Sequence, residues 1–392
     1  MLRICLDARN IKPFMTGMGR YALNLVRGLA ELDHENEYIL LTDPSYRGRI
    51  VDQPNFREVP VAGDTSSTRS FVWVARAVNR CRPDVFHSLR QFLPLRLRCP
   101  RTLITLHDVM WIEAPGMAFD SRWKARYNQR FKGWFVRKAV RDADVVIAVS
   151  EATRQQAIEV LGMPAGKSCT IHPGIDERFL ACPPKEARPR PTSATLERLR
   201  ARVGEEYVLS FGTSRPYKNV DGVLKAFQRL KDAHPSVKLL IVGRGDRYPA
   251  LERLARELGL SGRVVFWSSR GGNALSDEEI ITVYQDARML AFPSFLEGFG
   301  LPIAEAMAVG CPVLTSRISA PAEVAADAGL LVDPYDVDDI SAGMDRLLRD
   351  TALRARLIER GRRRAARFSI DRGARAVHAL YTSSAEGARG VA

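Results

Sequence analysis

The chain has 392 residues, with 59 Lys and Arg against 45 Asp and Glu for a formal net charge of +14. That length exceeds one ordinary hydrophobic core and calls for two domains. No run of ~18 or more apolar residues exists to span a bilayer, and Met1-Leu2-Arg3-Ile4-Cys5-Leu6-Asp7 is too soon interrupted to be a secretory signal, so a cytosolic protein is expected. Cys5, Cys81, Cys99, Cys169, Cys182 and Cys311 show no CxxC spacing, which argues against a zinc site and a disulfide framework. The positive surplus favours polyanions: nucleic acid, acidic lipid headgroups or nucleotide diphosphates.

Apolar strands alternate with amphipathic helices, which predicts two doubly wound α/β units. In the first half, strands are expected at 3–7, 38–41, 85–87, 102–107 and 145–149, with helices such as 20–31 and 151–161 between them. Ligands of open parallel sheets bind at strand carboxyl ends. The first strand leads to Asp7-Ala8-Arg9 and then Thr16-Gly17-Met18-Gly19-Arg20-Tyr21, a glycine-rich approach to a helix N-terminus that suits an anion or simply makes a tight turn. His107-Asp108 ends another strand, and Ser150 is placed to cap the helix after it. Over 122–141, Trp123, Tyr127, Phe131 and Trp134 recur at helical spacing among bases; such a helix lies on a membrane surface, or turns its aromatics inward and its bases to water.

Pro183, Pro184, Pro189 and Pro191 mark a linker, since none continues a helix or central strand. The expected division is 1–182, a linker at 183–205, a second domain at 206–368 and a last helix at 369–392. The second domain has strands at 207–211, 238–242, 264–267, 289–292, 312–315 and 329–332, and a capping box from Ser276 to Glu279. Asp333, Asp336, Asp338 and Asp339 precede a helix, where capping and solvation account for them. The arginines of 360–367 read as a solvated helical face.

The most informative stretch follows the short buried strand Met289-Leu290-Ala291-Phe292. It runs Glu297-Gly298-Phe299-Gly300-Leu301-Pro302-Ile303-Ala304-Glu305, and Pro302 is placed to open a helix. Gly298 and Gly300 admit close approach of a ligand to backbone amides, and the positive helix end favours an anion such as a diphosphate. Glu297 precedes the helix and Glu305 lies about one turn inside it, so the two carboxylates suit polyol groups at different depths.

This stretch resembles the signature of retaining glycosyltransferases of the GT-B fold, glycosyltransferase family 4. The resemblance runs from Asp7-Ala8-Arg9 to Ala365-Ala366-Arg367-Phe368-Ser369. It implies two Rossmann-like domains facing across a cleft, with the C-terminal helix crossing back to the first. Glu297 would meet the donor sugar and Glu305 the ribose hydroxyls. Lys218, in Gly212-Thr213-Ser214-Arg215-Pro216-Tyr217-Lys218-Asn219, would neutralise the departing diphosphate. Members often carry an arginine where this chain has Thr213 or Tyr217, and Arg215 is the nearby substitute. His107, Lys218 and Glu297 are the implied catalytic residues. Gly17, Gly19, Arg215, Lys218, Glu297, Gly298, Phe299, Gly300, Leu301 and Glu305 would bind the donor; Arg20, Tyr21 and Asp108 would face the acceptor. Ser268-Ser269-Arg270-Gly271-Gly272 departs from the family's base-framing turn.

The resemblance implies transfer of a sugar, mannose among the candidates, from a GDP- or UDP-linked donor to a saccharide or lipid-linked oligosaccharide in bacterial surface-polysaccharide synthesis. The anomeric configuration would be retained, with no cofactor and no metal. For a lipid-linked acceptor, the helix around Trp123 and Trp134 would dock on the anionic inner leaflet. A sugar-nucleotide epimerase and a glycoside phosphorylase of the same fold are the alternatives. A nucleic-acid-binding protein fits the charge, but no recognition motif accompanies it, and a dehydrogenase would open its first helix with G-x-G-x-x-G.

Overall fold

The computed structural model describes the chain except 14, 15, 47, 64–67, 119–121, 189–191, 213, 214, 244, 246, 247, 269–272 and 384–392, and except the side chains of 68, 69, 111, 115, 118 and 122–128. Thr213, the base-framing loop around Arg270 and the Trp123 side chain therefore lie outside the described residues. The chain forms two compact units, Met1–Asp176 with Phe368–Ala392, and Glu177–Arg367.

The first unit is built on a seven-stranded sheet of β1 (Arg3–Asp7), β2 (Glu37–Thr42), β3 (Phe56–Pro60), β4 (Val85–Ser88), β5 (Arg101–Leu106), β6 (Val145–Ala148) and β7 (Ser168–Thr170). Its order is β3-β2-β1-β4-β5-β6-β7 and every pairing is parallel. Alternate side chains feed two apolar layers: Ile4, Leu6, Tyr38 and Leu40 on one face, Cys5, Ile39 and Leu41 on the other. A parallel sheet covered on both faces needs such continuous apolar strands. β3 and β7 were not anticipated. Both are edge strands; β3 buries only its first residue, Phe56, and ends in a proline, and β7 has three residues, none fully buried.

Helix Gly17–Leu32 covers the face that includes Ile4 and Leu6 together with the last helix, Ile370–Thr382, whose Ala374, Val377, Leu380 and Tyr381 enter the same core. The two helices touch closely at Gly28, where an added Cβ would lie 2.5 Å from Ile370 Cγ2 and 2.9 Å from the Ala374 Cβ. Helix Arg122–Asp142 covers the other face with Val136, Ala139 and Val140, beside Thr68–Cys81.

The second unit holds a six-stranded parallel sheet of β8 (Tyr207–Phe211), β9 (Lys238–Gly243), β10 (Val264–Ser268), β11 (Met289–Phe292), β12 (Val313–Ser316) and β13 (Leu330–Val332), in the order β10-β9-β8-β11-β12-β13. The segment 183–205 is more than a linker. Ser193 caps a helix, Ala194–Val203, that buries Leu196, Leu199 and Val203 and packs beside β9 and β10. The prolines stop an earlier helix, but the apolar i, i+3, i+7 stripe that follows starts a new one. The capping box of Ser276 and Glu279 forms on helix Asp277–Asp286, and the Ser193 hydroxyl donates to the Glu279 carboxylate.

Just beyond β1, the fully buried Arg9 donates through Nε and Nη2 to both oxygens of Asp7, at 2.8 and 2.9 Å, and through Nη1 to Ser70 Oγ at 2.9 Å. Burial alone would raise the Asp7 pKa, but the Arg9 charge and hydrogen bonds outweigh it and hold the carboxyl below its usual range. Exchanging Arg9 for Met strands a buried carboxylate and is expected to remove about 3–5 kcal/mol of stability, measured as a fall in the urea midpoint at neutral pH.

Candidate functional site

Each sheet reverses its winding at one place, between β1 and β4 in the first unit and between β8 and β11 in the second. These reversals part the loops at the strand carboxyl ends and open a crevice for ligands. Most of the residues expected to bind ligands lie on the loops that leave β1, β5, β8 and β11.

In the second unit, the loop after β8 closes in the 3-10 turn Pro216–Lys218, and Asn219 follows in the left-handed region with φ 53. The Asn219 Nδ2 donates to the carbonyls of Pro293, at 3.0 Å, and Pro334, at 2.7 Å. The Phe295 amide donates to the Tyr217 carbonyl at 2.8 Å. These bonds tie the turn to the loop after β11. Lys218 Nζ and Glu297 Oε1 are thereby brought to 2.6 Å, with side chains only 13% and 10% exposed. The ammonium also lies over the Phe292 ring, 4.8 Å from its centroid. The base of this loop needs glycine: a Cβ on Gly243 would fall 2.0 Å from the Gly212 carbonyl oxygen.

Gly300, with φ +101, caps helix Leu301–Val309. The helix opens at Leu301, and Pro302 is its second residue. Phe299 is buried and Gly298 half-buried beside the first-turn amides. Glu305 lies within the helix, 8% exposed, and accepts from Tyr284 Oη at 3.1 Å. Tyr284 is itself stacked on Phe211 with centroids 5.5 Å apart. Glu297 and Glu305 are buried alike, one paired with a cation and one braced by a phenol. Arg215 lies exposed at the start of the 3-10 turn.

In the first unit, the helix begins at Gly17 rather than at 20, because Thr16 caps it and accepts from the Gly19 amide at 3.2 Å. The glycines therefore form the first helical turn instead of a preceding loop, and the Gly19 amide is already engaged. A Cβ on Gly17 would meet nothing within 4 Å. Arg20 is half-buried; Tyr21 is buried, with its ring edge-to-face on His107 at 5.0 Å and 85°. His107 Nε2 lies 3.0 Å from the Leu89 carbonyl, so that nitrogen carries the proton and Nδ1 keeps its lone pair. Asp108 Oδ1 accepts from the Met110 amide at 3.2 Å.

Sequence reasoning missed Arg90, which is 5% exposed, stacks over Phe92 at 5.6 Å and lowers the pKa of both Asp7 and His107. It also missed Tyr284. The strand-end rule applied to β4 would have found Arg90; nothing local marks Tyr284. The buried Ser88 Oγ and Gln91 Oε1, close to Arg90 in the sequence, and Asn10 Nδ2, just beyond β1, have no hydrogen-bond partner among the described residues. Buried polar atoms of this kind suit a hydroxyl-rich ligand or ordered water.

Ser150 caps helix Glu151–Leu161 and Asp336 caps Val337–Arg349, each through its side chain. On helix Arg122–Asp142, Phe135, Val136, Ala139 and Val140 turn toward the core or partly so, whereas Arg130, Phe131, Trp134, Arg137 and Arg141 are exposed. Phe131 is 39% and Trp134 55% exposed. None of the helices is long and apolar enough to cross a membrane, among the described residues.

Two family models match the chain in succession: "Glycosyltransferase Family 4" over residues 15–179 and "Glycosyl transferases group 1" over residues 193–364. With the paired sheets and the site geometry, the chain belongs to glycosyltransferase family 4 and has the GT-B fold. It is 28% identical over 385 residues to O-antigen chain mannosyltransferase B of Escherichia coli, a match covering 94% of this chain and 96% of that one. In fold it is similar to sucrose-phosphate synthase from Thermosynechococcus elongatus, with TM-score 0.76 at 21% identity over 97% of this chain and 98% of that one. It is similar also to Anabaena HepE, solved in complex with UDP-glucose, with TM-score 0.71 at 17% identity over 98% and 100%.

Burial pushes His107 down to about 4, against the pull of the Leu89 carbonyl and with help from Arg90. Burial likewise pushes His87 down to about 3, with the charge of His107 adding to the effect. In the unfolded chain both groups take up protons near 6.5. The folded state therefore keeps its full stability above 6.5 and loses it as pH falls toward the folded values. Denaturant midpoints are expected to drop as pH is lowered through about 6.5 to about 4, and the drop is expected to shrink in His107→Asn.

Proposed function

We propose that the chain transfers a mannosyl group from a GDP- or UDP-linked donor to a hydroxyl of a saccharide or lipid-linked oligosaccharide in surface-polysaccharide synthesis. The observation that carries this reading is the Lys218–Glu297 pair beside the amides that open Leu301–Val309. It combines a cation for phosphate, an acceptor for sugar hydroxyls and a helix N-terminus for the anion. The Escherichia coli mannosyltransferase, similar along nearly its whole length, supports mannose and the polysaccharide setting, and HepE with UDP-glucose supports a nucleotide sugar.

On donor binding, Lys218 exchanges the Glu297 carboxylate for the diphosphate, which leaves Glu297 to accept from the hydroxyls of the sugar. Glu305, braced by Tyr284, accepts from the ribose. His107, neutral and with Nδ1 as an acceptor, receives a hydroxyl of the transferred sugar. Transfer proceeds on one face: the acceptor oxygen bonds to the anomeric carbon as the carbon–phosphate oxygen bond breaks, and the acceptor proton passes to the departing phosphate. Configuration is retained. Lys218 and the loop amides meet the growing negative charge, and no metal takes part; turnover is expected to be unchanged by EDTA, and its loss on chelation refutes the metal-free scheme.

In a thermal-shift panel of GDP, UDP, ADP and their sugars, the cognate nucleotide at about 100 times its dissociation constant is expected to stabilise by about 2.7 kcal/mol. No shift with any of them overturns the reading. Lys218→Met and Glu297→Gln are each expected to lower kcat by about 10²–10³, with the product anomer, read by NMR, matching that of the donor.

With a lipid-linked acceptor, the enzyme would work at the cytoplasmic face of the inner membrane, docked through the exposed stripe of Arg130, Phe131, Trp134, Arg137 and Arg141. Binding to anionic vesicles is expected to exceed binding to neutral ones and to weaken about tenfold in Trp134→Ala, in line with the large apolar area of one indole. Equal partitioning to both vesicle types refutes the docking.

A further inference from the structure

A buried chain of hydrogen bonds links the last helix to the helix that opens at Gly17. His87 Nδ1 lies 2.6 Å from Tyr381 Oη, and His87 Nε2 lies 2.9 Å from Thr105 Oγ1. Thr105 Oγ1 in turn lies 3.1 Å from Tyr21 Oη. His87 and Thr105 are 0% exposed, Tyr381 2% and Tyr21 5%. From these contacts we propose that His87 and Tyr381 are positioning residues for sugar transfer, holding Tyr21 so that its ring fixes His107. The proposal rests on the reading that His107 touches the transferred sugar.

The geometry of β5 makes the link. Thr105 and His107 are two residues apart at the end of the strand, so their side chains leave the same face. Tyr21 spans both: its hydroxyl is bound at Thr105, and its ring stands edge-to-face on His107 at 5.0 Å. The Leu89 carbonyl fixes the opposite side of the imidazole through Nε2. With the ring held at two points, Nδ1 has one direction in which to meet a ligand. Remove the hydroxyl at either end of the chain and the phenol of Tyr21 loses what sets its angle.

The composition of the surroundings adds to this. Tyr21 and Tyr381 belong to an apolar core of Ile4, Leu6, Leu25, Val26, Leu29, Leu103, Val377 and Leu380. Apolar side chains of similar size in place of a buried polar pair are often neutral or stabilising, so stability alone does not call for an imidazole and three hydroxyls here. What they provide is direction. His87 is neutral, because burial holds its pKa at about 3. One of its ring nitrogens then donates and the other accepts, which gives the chain a single sense from Tyr381 to Thr105 or the reverse.

The test is steady-state kinetics and histidine NMR on the full chain, well below the unfolding temperature. Tyr381→Phe and His87→Leu are each expected to lower kcat about tenfold with the donor KM unchanged, as small displacements of reacting groups do. The double variant is expected to be no slower than His87→Leu alone, since residues acting as a unit are not additive. His87→Gln, which keeps a hydrogen-bonding group toward Thr105, is expected to recover most of the rate. The Nε2–H signal of His107 in the ¹H–¹⁵N spectrum is expected to shift in Tyr381→Phe. Wild-type kcat in both single variants, or a fall in the thermal midpoint alone, overturns the proposal. His107→Ala separates the two ideas: full turnover in that variant refutes the role of His107 itself, whereas lost turnover there with wild-type rates in Tyr381→Phe and His87→Leu refutes only the positioning chain.

Discussion

Both units depend on one constraint: a parallel sheet buried on both faces directs every strand end of one kind to the same side. The strands are satisfied by apolar packing and ladder hydrogen bonds, so chemistry can reside only in the loops at one edge. At the β8/β11 reversal this edge gathers Lys218, Glu297 and the start of Leu301–Val309; at the β1/β4 reversal it gathers Arg9, Arg90 and the approach to His107. Polar groups that would be intolerable inside the sheet are held there by partners chosen one by one. Arg9 takes Asp7, Asn219 takes two carbonyls, Glu305 takes Tyr284 and His107 takes Leu89.

The pairing of Lys218 with Glu297 gives the ligand-free site a defined electrostatic state. Two opposite charges that are nearly buried neutralise each other, and the proposed donor would have to offer both of them something better, an anion for the one and hydroxyls for the other. A ligand with only one of these features leaves a partly desolvated charge without its partner, which is costly. Under the proposed function, selectivity for molecules that combine a phosphate with a polyol would follow from the pair itself.

Much of this was legible in the sequence, and the reasons differ by element. β1, β8 and β11 were placed to the residue, since Arg3–Asp7, Tyr207–Phe211 and Met289–Phe292 are apolar runs bounded by turn residues. The Ser276 capping box and the Ser150 cap were readable because they are local bonds between residues three apart. β3 and β7 were not, because an edge strand is half solvated and its pattern weak. The Glu-Gly-Phe-Gly loop was legible as a glycine turn that leads into a helix. That Glu297 would face Lys218 across 79 residues, or that Tyr284 would brace Glu305, was not. His87 and Tyr381 lie 294 residues apart, and each reads in isolation as an ordinary core residue. Tertiary partners of polar groups leave no periodic trace in a chain.

The tight meeting of Gly28 with Ile370 and Ala374 has a consequence for how the protein is made. A ribosome delivers the amino-terminal sheet early, yet one of its covering helices emerges only after the whole second unit. Until then the flank of Tyr21, Leu25 and Gly28 is bare. The unit encoded in the middle, closed by its own residues from 177 to 367, has everything it needs first. Birth order and completion order are therefore inverted, and a nascent chain that stops at Arg367 would carry a finished second unit behind a first one still waiting for helix Ile370–Thr382.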